Sequence, residues 1–208
     1  TQGPYPLREA LAQVLKMETK DIKVVHVQGA GCYGHNGADD AALDAALLAC
    51  ALPETPVQVK WNREDEHSWE PYGSAMVIDL KASIGKDGVI RDWNHDVYSD
   101  SHVERPGENP EGSQLLASWH LDQPCRRPNG TPPWDIFTGI GFNAIPLYEM
   151  PNCKVSQHLV KGLPLRVSAL RSLGAYANIF SIESFMDELA HRAGVDPLEF
   201  RLDHLSDD

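Results

Sequence analysis

The chain lacks a long apolar run. No uninterrupted hydrophobic stretch in its 208 residues approaches the roughly 18 needed to cross a bilayer. The longest, Ala41 to Leu52, is broken by Asp44 and follows a helical pattern. Basic excess is also missing. Lys and Arg number 18 against 30 Asp and Glu, giving a net charge of −12, so nucleic acid is a poor candidate partner. There is no Cys-x-x-Cys. Cys32, Cys50, Cys125 and Cys153 stand far apart, which argues against a zinc or iron–sulfur site built from this chain alone. They read as free thiols in a reducing compartment, with a disulfide left open. Internal repeats and low-complexity tracts are absent as well, and no signal peptide is visible in the residues given. The chain opens at Thr1 rather than Met and closes at Ser206-Asp207-Asp208, so the expectation is a piece of a longer protein. Its length allows one large domain or two small lobes with a real core.

Periodicity predicts helices over Pro6–Lys16, Ala38–Leu52 and Tyr176–Ala193, with Gly194 as a stop. Arg63–Trp69 reads as a short helical turn. Asp196-Pro-Leu-Glu199 reads as a helix restart, with Asp196 as cap and Pro197 in the first turn. Alternation predicts strands over Asp21–Gln28, Pro56–Trp61, Ser74–Ser83, Val89–Tyr98 and Lys154–Val160. Gly85-Lys-Asp-Gly88 supplies hairpin chemistry between the third and fourth. From Ser99 to Asp135 six prolines break any pattern, and a loop of that length is functional cover or a packing surface. The class expected is α+β, one lobe over residues 1–208 with a mixed sheet and packed helices.

The most informative stretch is Gly29-Ala-Gly-Cys-Tyr-Gly-His-Asn36. Gly29-x-Gly31-x-x-Gly34 formally satisfies the dinucleotide fingerprint between a strand and a helix. Glycines let a backbone approach a phosphate, and the N–H groups of a helix start favour an anion. Against a nicotinamide or flavin stand a half-polar preceding strand, a helix ahead of that strand, and no single well-placed acid for a ribose. Asp39 and Asp40 in the first helical turn would also oppose a phosphate on the helix axis. A cofactor should then touch the turn rather than the axis. The plainer reading is a turn that needs glycines only for its shape.

Thr1-Gln2, the Gly29–Asn36 turn and Arg171-Ser-Leu-Gly174 with its following helix occur in this order in molybdenum hydroxylase large subunits. The chain resembles that family, which includes xanthine dehydrogenase and aldehyde oxidase. It is most similar to the bacterial molybdopterin-binding subunits of the isoquinoline 1-oxidoreductase and nicotinate dehydrogenase type. Glu183-Ser-Phe-Met-Asp-Glu-Leu-Ala190 and Gly194-Val-Asp-Pro-Leu-Glu-Phe-Arg201 add to the likeness, which covers essentially the whole chain.

The resemblance implies a site made of Gln2, Gly31, Cys32, Tyr33, Gly34 and Arg171. The side chain of Gln2 and the backbone N–H of Tyr33 would face oxygen ligands of the metal, with no direct metal ligand from this chain. It implies a molybdenum–molybdopterin cofactor, in bacteria the cytosine dinucleotide, and a [2Fe-2S] cluster on a small partner subunit. A cytochrome c is a further candidate partner, together with the remaining lobe of the same subunit and a bacterial cytoplasmic or periplasmic location. Leu173 falls at a substrate-stacking phenylalanine of the family, and Gly37 at a substrate-binding glutamate of purine-oxidising members; both departures argue against xanthine. The reaction implied is hydroxylation of an N-heterocycle, or oxidation of an aldehyde, with water as oxygen source. The family's general-base glutamate is expected outside this chain, so the fragment alone is expected to be inactive.

Other candidates have plainer alternatives. His35 could be a ligand or relay, or a polar turn filler. His95, Asp96 and His102 could bind a metal, or be a solvated hairpin edge. Glu183, Asp187 and His191 share a helix face that could hold a cation or simply face solvent. Cys32 could be reactive or inert. The five tryptophans could line a funnel or be packed. A nicotinamide-dependent dehydrogenase, and an interaction module docking through 99–135, remain as alternatives. A first strand ending at Gly29 in a parallel sheet would favour the dehydrogenase.

Overall fold

Two prolines, Pro4 and Pro6, open the first helix, α1 (Pro4–Leu15), where a missing N–H costs nothing. Its apolar residues recur at helical spacing, and Leu7, Ala10, Leu11 and Val14 are buried. Lys16 ends it in a left-handed conformation, with Met17 N–H bonded back to the Ala12 carbonyl. The computed structural model describes residues 1–29, 31, 33–34, 38–107, 110–126 and 139–206. The chain divides into two compact units. The first comprises Thr1–Gly73, Val103–Gly130 and Pro164–Arg171; the second comprises Ser74–His102, Thr131–Leu163 and Ser172–Asp208.

In the first unit α1 packs with α2 (Asp40–Ala51), through Leu43, and with Leu115. Leu115 lies between two short 3-10 turns, Gly112–Gln114 and Leu116–His120. Full burial of Leu43 and Leu115 contributes about 1.5–3 kcal/mol each. The described part of the 99–135 span is thus core-forming, and further bonds tie it down, such as Gln13 Nε2 to the Pro110 carbonyl. α3 (Arg63–Trp69) begins with a reciprocal capping box between Asn62 and Asp65.

Two expected strands are not strands. After a 3-10 turn at Thr19–Asp21, residues 22–29 run without joining a ladder, and so do residues 55–62. The alternation that suggested them is real: Ile22 and Val24 pack on the α1–α2 cluster while Lys23 and Val25 are exposed. Val57, Val59 and Trp61 are likewise half-buried between exposed neighbours. One-sided burial produces the same two-residue period as a sheet, but a strand also needs a hydrogen-bonded neighbour. Among the described residues neither segment has one.

The second unit holds a mixed sheet in the order β1-β2-β3. β1 (Met76–Ile84) and β2 (Ile90–Ser99) form the expected antiparallel hairpin, closed by Gly85 N–H to the Val89 carbonyl. β3 (Asn152–Leu159) runs parallel to β2. The long helix α4 (Ala175–Ala193) lays Ile182, Met186 and Leu189 against Ile90 and Trp93 of β2. Gly194 stops α4 at φ 72, and Asp196 caps α5 (Pro197–Leu202) by accepting from the Leu198 and Glu199 N–H groups. The expected α+β class is what is found. No described helix is long and apolar enough to cross a membrane.

Candidate functional site

The site expectation depends on three stretches far apart in the chain: Thr1-Gln2, the glycine turn, and Arg171. All three lie in the first unit, and the structure joins each to the start of α2.

The glycine turn meets Arg171 directly. Gly34 has φ 113, a backbone conformation open essentially to glycine. A Cβ there would overlap the Arg171 backbone nitrogen and lie 2.7 Å from its Cα. Two main chains therefore touch at this point. Tyr33 is 77% exposed, and its ring lies over Gly31.

Arg171 is placed by the segment preceding it. Val167 forms an isolated parallel bridge with Tyr72, whose N–H donates to the Arg166 carbonyl and whose carbonyl accepts from Ser168 N–H. The Arg166 side chain forks onto the buried Asp40, Nη1 to Oδ2 at 2.8 Å and Nη2 to Oδ1 at 2.9 Å. Asp40 also accepts from Leu116 N–H, and Arg166 lies over the Trp119 ring.

Thr1-Gln2 is tied to the exit of the turn. Thr1 Oγ1 donates to Asp39 Oδ2 at 2.8 Å, and His26 Nδ1 donates to the Thr1 carbonyl at 2.6 Å. Burial raises the Asp39 pKa, and the Thr1 hydrogen bond offsets part of that rise. Gln2 is exposed; with its amide oxygen turned to Arg105, it accepts from Nη1 at 3.0 Å and Nη2 at 3.3 Å.

Asp39 and Asp40 thus do more than complement a helix dipole. Both carboxylates are engaged by side chains of their own unit, which leaves the start of α2 to internal contacts.

Cys32, His35, Asn36 and Gly37 lie outside the described residues. Leu173 belongs to the second unit, half-buried just before α4, at φ 51. Its neighbour Ser172 is also left-handed, at φ 72.

The remaining candidates fall into structural roles. Alternation along β2 buries His95, whose Nδ1 donates to the Ala144 carbonyl, and turns Asp96 to the other face against His158. Burial lowers the His95 pKa, and it lowers that of His102, bonded to Ser99 Oγ, to about 4. Glu183 and Asp187 both bind Arg201, joining α4 to α5, and Tyr148 donates to Glu183. Trp93 is core, and Trp61 and Trp119 donate to Asp44 and the Ser113 carbonyl. Among the described residues no group of three or more His, Cys, Asp or Glu could hold a metal ion. Cys50, Cys125 and Cys153 are free thiols.

No strand ends at Gly29, and the parallel sheet required by a dinucleotide fold is absent from the described residues around it. The nicotinamide reading loses its structural basis. Sequence reasoning missed Arg105 and Arg166. Arg105 sits in the irregular proline-rich span, and neither residue belongs to a motif.

Comparison with known proteins identifies the family. Residues 1–110 and 133–205 match the molybdopterin cofactor-binding domain family. A nicotinate dehydrogenase polypeptide of Pseudomonas putida is 35% identical over 207 residues, covering 100% of this chain and 16% of that protein. The beta polypeptide of isoquinoline 1-oxidoreductase from Brevundimonas diminuta is 27% identical, covering 85% and 20%. Among solved structures, quinoline 2-oxidoreductase from Pseudomonas putida 86 shares the fold at a TM-score of 0.61 and 16% identity, over 95% of this chain and 22% of that one. The chain therefore spans only about a sixth to a fifth of these relatives.

Proposed function

We propose, because this chain belongs to the molybdopterin cofactor-binding domain family, that it forms one wall of the molybdenum site in an oxidoreductase acting on an N-heterocycle or an aldehyde. The observation that carries this reading is the contact between Gly34 and Arg171, in the same unit as Thr1-Gln2. Three short segments that resemble the family's cofactor contacts are separated by most of the chain, yet they lie in one unit. Their fit to a cofactor rests on an exposed Tyr33 turn held against the Arg171 main chain and on an exposed amide at Gln2.

In this reading the bound cofactor supplies the two-electron oxidation of the substrate carbon. The residues of this chain bind and orient. Gly34 lets the turn approach closely, the Tyr33 N–H and the Gln2 amide donate hydrogen bonds, and Arg171 completes the wall. Cys32 belongs to the same turn. Leu173 is assigned to the substrate pocket, where an aliphatic side chain offers contact area without aromatic stacking. The general-base glutamate is assigned to a part of the enzyme beyond these residues. The cytosine dinucleotide form of the cofactor, a small [2Fe-2S] subunit and a cytochrome c as electron acceptor complete the proposal, supported by the likeness to multi-subunit dehydrogenases.

Metal analysis of the full-length protein with its partner subunits tests it. Stoichiometric molybdenum and iron–sulfur absorption are expected, with turnover of N-heterocycles such as nicotinate or isoquinoline. A protein without molybdenum, reducing a nicotinamide instead, would sink the proposal.

A further inference from the structure

We infer that Arg105 is a positioning residue for Gln2, fixing which end of its amide faces the cofactor; the inference rests on the cofactor reading above. A glutamine amide has two ends of similar size and opposite character, an acceptor oxygen and a donor NH2. Rotation about the last side-chain bond exchanges them at little cost in an exposed residue. A guanidinium carries only donors. Placed against the NH2, it would set donor against donor; placed against Oε1, it makes two charge-assisted bonds, at 3.0 and 3.3 Å. The oxygen is thereby committed to Arg105, and Nε2 is directed to the opposite side as a donor. Gln2 then presents N–H to an oxygen acceptor.

The charge of Arg105 acts on the half-buried Asp39, the carboxylate that receives the Thr1 hydroxyl. Thr1, Gln2, Asp39 and Arg105 make one cluster at the exit of the glycine turn. Asp39 counters the guanidinium, the guanidinium orients the amide, and Thr1 fixes the backbone before it.

The clamp predicts what a carboxylate at position 2 would do. Glu in place of Gln2 keeps its pairing with Arg105 but has no N–H to offer, so the protein folds while the donor is lost.

The test uses the full-length protein with its partner subunits, reduced with dithionite and read by the Mo(V) paramagnetic resonance signal, molybdenum content and melting temperature. Arg105→Met is expected to keep its melting transition and to displace or broaden the resonance signal. Removing an outer partner of this kind typically weakens metal affinity or activity about 10–100-fold. Gln2→Glu should displace the signal too, and the double variant should go no further than Gln2→Glu alone. Arg105→Lys, whose ammonium also only donates, should restore the wild-type signal. An Arg105→Met protein with the wild-type signal and molybdenum content overturns the clamp, as does full additivity with Gln2→Glu. Should Arg105→Met fail to fold, Arg105→Gln, which can offer an acceptor as readily as a donor, takes its place with the same two outcomes. Wild-type protein devoid of molybdenum overturns the cofactor reading itself, and this inference with it.

Discussion

Adding one methyl group at Gly34 should separate the cradle from the fold. The new Cβ would lie 2.7 Å from Arg171 Cα and 3.0 Å from its Cβ. Carbon atoms pack at about 3.5 Å or more, so one main chain must retreat by at least about 0.8 Å (3.5 − 2.7). Overpacking of this kind costs about 1–3 kcal/mol, and a non-glycine residue at φ 113 costs a further ~1–3 kcal/mol. The expected destabilisation of Gly34→Ala is about 2–6 kcal/mol, or less if the turn swings away from Arg171. Either response opens the cradle, and a displacement near 1 Å at a positioned group costs on the order of 100-fold in rate. Gly162→Ala is the control, because Gly162 has φ 78 with nothing within 4 Å of a built Cβ. It carries the backbone penalty without the overlap. Calorimetry and molybdenum analysis of both full-length variants decide the matter. Gly34→Ala should lose molybdenum and melt lower than Gly162→Ala. Equal melting temperatures with full molybdenum in both would refute the close approach.

Arg166→Met strands the buried Asp40 carboxylate and should cost about 3–5 kcal/mol in urea unfolding, most of it recovered by adding Asp40→Asn. His102 is held neutral by burial, with its pKa lowered to about 4 from 6.5. The unfolded chain therefore binds the proton first as pH falls: stability is unaffected above about pH 6.5 and declines toward pH 4, by about 3 kcal/mol at most. Urea midpoints from pH 7 to 4 should show the decline, and His102→Gln should flatten it. Ser172 adopts φ 72, a left-handed conformation that favours glycine; Ser172→Gly should raise stability by about 1 kcal/mol, measured by calorimetry.

What could be read in advance was local. The α4 stripe, the Gly194 stop, the Asp196 cap and the Gly85–Gly88 hairpin are each decided by residues within a few positions of one another, so periodicity and turn chemistry suffice. The strands expected at Asp21–Gln28 and Pro56–Trp61 failed for lack of a partner, which no local pattern encodes. The segments of the site were legible through their likeness to a family, but the physics that brings them together was not. Asp40 and Arg166 are 126 positions apart, and an Asp in a helix's first turn has an adequate local explanation without any partner. Arg105 carried no signal at all, since an arginine among prolines is usually a solvated one.

The same separation has a consequence for synthesis. The first unit is completed by Pro164–Arg171, after the chain has left it for the strands of the second unit and come back. At about 5–20 residues per second, Asp40 waits about 6–25 s for the guanidinium that neutralises it. Arg171 follows five residues later. Through that interval an uncompensated carboxylate keeps the start of α2 from burying, so the cradle is among the last parts of its unit to close. A cofactor held there cannot seat before residue 171 has been made and has folded back against the turn.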